Sequence, residues 1–148
     1  MSTRVLALTI VLLGSFGSAL AQSSLPVIEL SAGMYHIEAE VAATQDQRMV
    51  GLMQRREMPP QHGMLFVFPQ DQTHCMWMRN TLLPLSVAFL DRDGKIINVE
   101  DMQPQSDENH CAKYYARYAL EMNLGWFKSR GLTRGSSIAG IDKAPPGR

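Results

Sequence analysis

Residues 85–102, LSVAFLDRDGKIINVEDM, decide the fold. Two apolar runs, 85–91 and 95–102, flank Arg92-Asp93-Gly94, and an Asp-Gly pair between such runs is among the strongest local hairpin signals. Outward from this hairpin the chain keeps a β rhythm. Residues 64–68 and 74–78 are short apolar runs parted by Pro69-Gln70-Asp71-Gln72, which reads as two strands and a turn. Tyr35, Ile37, Ala39 and Val41 alternate with His36, Glu38 and Glu40, the pattern of a half-buried strand over 34–42. Thr44-Gln45-Asp46-Gln47 has the form of a capping box and predicts a short helix over 46–54, with Pro59-Pro60 ending the segment. On the other side, 103–113 is polar and aperiodic and reads as a loop, and 114–122 reads as a strand. Residues 123–130 suit a short helix stopped by Gly131, 136–141 suit an edge strand, and 142–148 a disordered tail. Seven or eight short strands with one or two brief helices predict a mainly β fold, a jelly-roll-like sandwich or a partly closed barrel.

The N-terminus carries the pattern of an export signal. Arg4 supplies a positive start, residues 5–13 are mostly apolar, and Ala19-Leu20-Ala21 offers small residues for cleavage after Ala21. Gly14, Ser15, Gly17 and Ser18 interrupt the run well short of the roughly 20 apolar residues a spanning helix needs. The expectation is a periplasmic or secreted protein, free of the membrane once residues 1–21 are removed, with 22–141 as a single β-sandwich domain. With 14 basic and 14 acidic residues, nothing favours nucleic acid or an anionic surface, and a monomer is expected.

Both cysteines follow a histidine, as His74-Cys75 and His110-Cys111. In an oxidising compartment the plain reading is a Cys75–Cys111 disulfide, stabilising by roughly 3 to 4 kcal/mol in the chain-entropy model. A four-ligand His-Cys metal site is opposed by strand geometry, since neighbouring residues on a strand face opposite ways. His74, Met76 and Met78 would share one strand face, however. With His110 they form the alternative reading, a copper- or zinc-handling protein; otherwise no cofactor is expected. A second alternative is a Cys-His enzyme, for which the chain offers no Gly-x-Ser-x-Gly elbow, His-Glu-x-x-His or phosphate loop in support.

Five ordered stretches carry a family resemblance: Arg48-Met-Val-Gly51-Leu52-Met53-Gln-Arg55, Gly63-Met64-Leu65-Phe66-Val-Phe68, Trp77-Met78-Arg-Asn80-Thr81-Leu-Leu-Pro84-Leu85, Phe89-Leu-Asp91-Arg-Asp-Gly94-Lys-Ile96, and Ala119-Leu120-Glu121 with Gly125. Together they resemble the domain of unknown function 192 family over roughly residues 26–141. The resemblance implies a small, mostly β, exported domain and no assigned activity. Two positions depart from the family pattern, Ser86 and Gly135-Ser136, where the family often places acidic residues.

The polar residues that match are Arg48, Arg55, Asn80, Thr81 and Glu121. Arg48 and Glu121 could form a buried pair fixing the helix to the sheet. The functional alternative is a clamp of Arg48, Asn80 and Glu121 beside Trp77 that holds a small polar ligand such as a sugar or carboxylate. The expected function is therefore a periplasmic small-ligand binding or accessory module, its partner either that ligand or another periplasmic protein.

Overall fold

The computed structural model describes residues 25–148, so the export signal expected over 1–21 lies outside the described residues. The elements run β1 (Val27–Ala32), β2 (Tyr35–Ala42), α1 (Gln45–Val50), β3 (His62–Gln72), β4 (Cys75–Met76), β5 (Leu85–Leu90), β6 (Ile96–Met102), β7 (His110–Cys111) and β8 (Ala116–Asn123). Short 3-10 turns follow at Lys128–Arg130 and Ile141–Lys143. The architecture is mainly β, as the pattern predicts. Six strands form one sheet in the order β1-β2-β3-β8-β5-β6, and β4 pairs with β7 in a separate two-stranded ribbon. No ladder closes the large sheet, but the segment from Gly135 to Ala139 reaches both of its edges. Isolated bridges join Ala139 to Ser31 of β1 and Ser137 to Lys95 beside β6. This gives the molecule the character of a partly open barrel.

The 85–102 hairpin is present as β5 and β6, antiparallel from Leu85 opposite Met102 to Phe89 opposite Asn98, with an irregularity before Leu90. The carboxylate of Asp91 accepts hydrogen bonds from the Asp93 and Lys95 N–H groups, which shapes the turn. Gly94 is needed twice over: its φ is +77°, and a Cβ there would lie 2.3 Å from the Ile138 carbonyl oxygen.

Several expectations change in the structure. The strand at 64–68 runs on through the expected turn, so β3 has eleven residues. Pro69 is tolerated because the ladder to β8 is broken between Val67 and Gln72, where a missing N–H leaves no partner unsatisfied. Conversely, the strand expected over 74–78 shrinks to Cys75–Met76. β1 went unpredicted, and it pairs with β2 across Gly33. β2 and β3 are parallel, a pairing that needs a crossover and finds it in α1. α1 itself is shorter than expected, but both halves of its capping box form: the Gln47 N–H donates to Thr44 Oγ1 and the Gln47 side-chain oxygen accepts from the Thr44 N–H. Of the second expected helix only the turn at 128–130 is present, ended by Gly131 in the left-handed region.

The tail expected to be disordered is docked instead. Arg148 donates its N–H to Ala43 at 2.7 Å. Gly147 lies so close to the backbone of Phe68 and Pro69 that a Cβ would come within 2.5 Å.

Alternation along the strands sorts the core into two clusters, one on each face of the sheet. Leu65, Val67, Ala88, Leu120 and Met122 belong to one, which is closed over by Trp126, Phe127, Ile138 and Ile141. Met64, Phe66, Val87, Phe89 and Ala119 belong to the other. Among the described residues no helix is long and apolar enough to cross a membrane.

Candidate functional site

β8 lies inside the sheet between β3 and β5, so its residues are flanked on both sides. Glu121 sits opposite Met64 of β3 and Val87 of β5, and by period two it shares a face with Ala119. A carboxyl group therefore stands on the same face as a cluster of phenylalanines and methionines. Glu121 is 3% exposed. Among the described residues its carboxyl has no hydrogen-bond or ion-pair partner, and burial alone pushes its pKa up to about 8.

The carboxyl faces a cavity of about 440 Å³, within the size range of small-molecule sites. One wall is α1 and the turn after it, including Arg48, Leu52 and Met53; a second is Phe66 and Phe68 of β3; a third is the segment from His74 to Trp77. Each wall follows from local structure. The capping box fixes the start of α1, and Gly51 ends it with φ +48°, where a Cβ would come within 3.2 Å of the Phe66 ring. The ring of His74 stacks on Phe68, with centroids 3.6 Å apart, while its Nε2 contacts the Gln70 carbonyl oxygen at 2.9 Å. The ribbon of β4 and β7 is stapled by the Cys75–Cys111 disulfide, the two residues directly opposite each other. The Asn98 side chain braces the ribbon from β6, donating to the Cys111 carbonyl oxygen and accepting from the Lys113 N–H.

Of the four residues expected to form a clamp, three line the cavity. Arg48, Trp77 and Glu121 do so, and Asn80 does not. Asn80 is exposed, with φ +56°, and its carbonyl oxygen accepts the Gln54 N–H at 2.9 Å. It is a turn residue, chosen because asparagine tolerates the left-handed region.

The expected Arg48–Glu121 ion pair is absent. The Arg48 guanidinium instead donates to three backbone oxygens: Ala43 at 2.6 Å, Val67 at 2.8 Å and Arg148 at 2.8 Å. Burial lowers its pKa somewhat, but an arginine remains charged. Arg55, also matched in the sequence, lies outside the cavity lining and forms a two-pronged pair with Glu40 of β2 at 2.5 and 2.6 Å. Ser86, where an acidic family residue is replaced, is buried and fully used: it donates to Asp101 at 2.5 Å and accepts from the Gly125 N–H at 2.8 Å.

The two alternative chemistries fare differently. With both sulfurs in the disulfide no free cysteine remains, which removes a cysteine nucleophile and a thiolate metal ligand. The face shared by His74, Met76 and Met78 is broken. His74 and Met76 line the cavity, Met78 is sealed in the core, and His110 lies outside the lining. Among the described residues no three His, Cys, Asp or Glu side chains cluster as a metal site. The cavity residues that sequence reasoning passed over are mostly apolar, Phe66, Phe68, Met49 and Met53 among them. They look like core in a sequence because a cavity lining and a core have the same composition.

Comparison with known proteins agrees with the fold. Residues 27–140 match the family DUF192, described as an uncharacterized ACR. A crystal structure from Sinorhizobium meliloti 1021, provisionally described as a transcription regulator, is 35% identical with a TM-score of 0.76, covering 80% of this chain and 96% of that one. A protein of unknown function from Novosphingobium aromaticivorans DSM 12444 is 26% identical, also with a TM-score of 0.76, covering 81% of this chain and 89% of that one. No curated protein matches.

Proposed function

This chain belongs to the DUF192 family, and from its cavity rather than from that membership we propose that it is a small-ligand binding module of an exported compartment. The observation that carries the reading is the unpartnered Glu121 carboxyl facing a cavity of about 440 Å³. A buried polar group without a partner costs stability, so a protein that keeps one beside an open cavity gains elsewhere from it. The walls revise the expected ligand. They are aromatic and thioether surfaces with few polar groups, which suits a compact molecule with an apolar body and one polar head better than a sugar. The disulfide and the export-like leader together support an oxidising compartment. The balance of 14 basic and 14 acidic residues gives no support to carrying the regulator description over.

A fragment screen by two-dimensional NMR tests the reading. Hits are expected to move the Trp77 indole and Thr81 amide signals while leaving Trp126 still, and Met53→Trp, which fills the cavity, should abolish them. Hits that cluster elsewhere, or that survive the filled cavity, overturn it.

One observation favours a second reading. Met49, Met53, Met76 and His74 all line this cavity, and thioether with imidazole is a donor set that suits Cu(I). A competition titration with a Cu(I) chelator tests it: binding lost on Met53→Leu with Met76→Leu supports copper handling, and no uptake by the native protein ends it.

A further inference from the structure

We propose that the cavity takes an organic ammonium, a primary amine on a compact apolar body, with the charged nitrogen seated against the Glu121 carboxyl. This rests on the small-ligand reading above and names its ligand class. The argument is an inventory of donors and acceptors. The one arginine at the cavity is committed, its guanidinium held by three backbone oxygens; the His74 Nε2 contacts the Gln70 carbonyl and the Thr81 hydroxyl is within 3.4 Å of the Arg79 carbonyl, while the neutral amides of Gln45 and Asn109 complete the polar lining. The acidic group left without a partner is Glu121, the only acidic residue in the lining. An anionic ligand would meet the carboxyl's lone pairs and would have to draw Arg48 off the oxygens that fix α1 and the tail. An ammonium meets a carboxylate, aromatic faces at Phe66 and Trp77, and methionine sulfur, each of which favours a cation.

The empty site holds Glu121 largely as the neutral acid near pH 7, because burial raises its pKa. Binding of an amine as its cation ionises the acid: the Glu121 O–H bond breaks, the proton leaves to buffer, and the carboxylate pairs with the ammonium. The charged or titratable groups sharing the cavity are Arg48 on α1 and His74 ahead of β4. The residues beside Glu121 on β3 and β5, Met64 and Val87, carry no charge.

Calorimetry at pH 6.5 on the intact, oxidised protein tests this with 2-phenylethylamine, 2-phenylethanol and 3-phenylpropanoate. The amine is expected to bind at least tenfold tighter than either of the others. Its binding heat should change with the ionisation enthalpy of the buffer, reporting the released proton. Glu121→Gln, which keeps the shape and stays neutral, should cost the amine at least tenfold and leave the alcohol unchanged. If the alcohol or the carboxylate binds as well as the amine, or the glutamine variant keeps the amine's affinity, the ammonium assignment falls and the cavity reading stands. If the amine binds tightest but no proton is released, the ionisation at Glu121 is wrong and the assignment falls with it. If none of the three binds, both fall together.

Discussion

Leu120 and Glu121 are neighbours on β8, and their side chains leave the sheet in opposite directions. Leu120 enters an apolar layer covered by Trp126, Phe127 and the bridging segment at Ile138, where the one buried polar neighbour, Ser86, has both its bonds. Glu121 enters a layer that is left open between α1, β3 and the disulfide ribbon, and its carboxyl has no partner. Both are almost fully buried, so burial alone does not tell them apart. What separates them is whether the surroundings satisfy the group they bury. One face of the sheet is built to hold the molecule together, and the other gives up some stability around a cavity.

The largest effect that bears on this contrast is a pH dependence. Burial raises the pKa of Glu121 from its ordinary 4.5 to about 8, so between those values the folded protein holds a proton that the unfolded chain releases. Its contribution is therefore fully present below pH 4.5, falls as pH rises through the window to 8, and is constant above. The loss across the window is on the order of 5 kcal/mol. Glu121→Gln should remove this slope, matching the native protein in urea unfolding at pH 4.5 and exceeding its stability at pH 8.5. Equal slopes in the two proteins would mean that the carboxyl is solvated and that the faces do not differ as described.

Next in size is Leu120→Ala on the sealed side. A buried leucine truncated in a packed layer costs about 3 kcal/mol. Thermal or urea unfolding should show that loss, while the affinity of any cavity ligand stays within twofold in the fraction that remains folded. A matching loss of affinity would show the two faces to be mechanically coupled.

How much of this contrast was legible in the sequence depends on where each interaction's partner lies. The 85–102 hairpin, the Thr44–Gln47 cap and the Cys75–Cys111 staple join side chains or turn residues to each other, so residue identity announces both ends. Glu121 was legible through the family resemblance, as a polar residue of the matched stretch Ala119-Leu120-Glu121. Arg48 misled because its partners are backbone oxygens, which every residue carries and no residue name reveals. The parallel β2–β3 pairing was hidden for a similar reason: β3 reads as a strand, but its register with a strand one helix away is set by tertiary packing. Residues 144–148, Ala-Pro-Pro-Gly-Arg, gave no sign that Gly147 was small in order to lie against Phe68.

Arg48→Ala then tests whether the cavity's arginine belongs to binding or to structure. Losing charge-assisted bonds to Ala43, Val67 and Arg148 should cost about 2 kcal/mol. Hydrogen exchange gives the specific signature: the Arg148 N–H, bonded to Ala43 in the native fold, should lose its protection as the tail undocks. Arg48→Lys should recover only part of the loss, since an ammonium cannot reproduce the planar fork that reaches three oxygens at once. Loss of ligand affinity with tail protection intact would instead return Arg48 to the recognition side of the comparison.

The smallest effect concerns Asn80, which the sequence offered as a fourth clamp residue and the fold places outside the cavity lining. With φ +56°, asparagine is held in a conformation that glycine adopts freely. Asn80→Gly relieves that strain but loosens the unfolded chain, and the two terms nearly cancel to within about 1 kcal/mol. Asn80→Ala keeps the strain without the asparagine's tolerance for it and should cost roughly 1 kcal/mol more than the glycine variant. Neither should alter cavity binding, because the contact the turn supplies is the Asn80 carbonyl oxygen on the Gln54 N–H, which both variants keep. A fall in affinity in Asn80→Gly, at unchanged stability, would place the asparagine side chain in the ligand's path and extend the recognition face beyond the walls drawn for it.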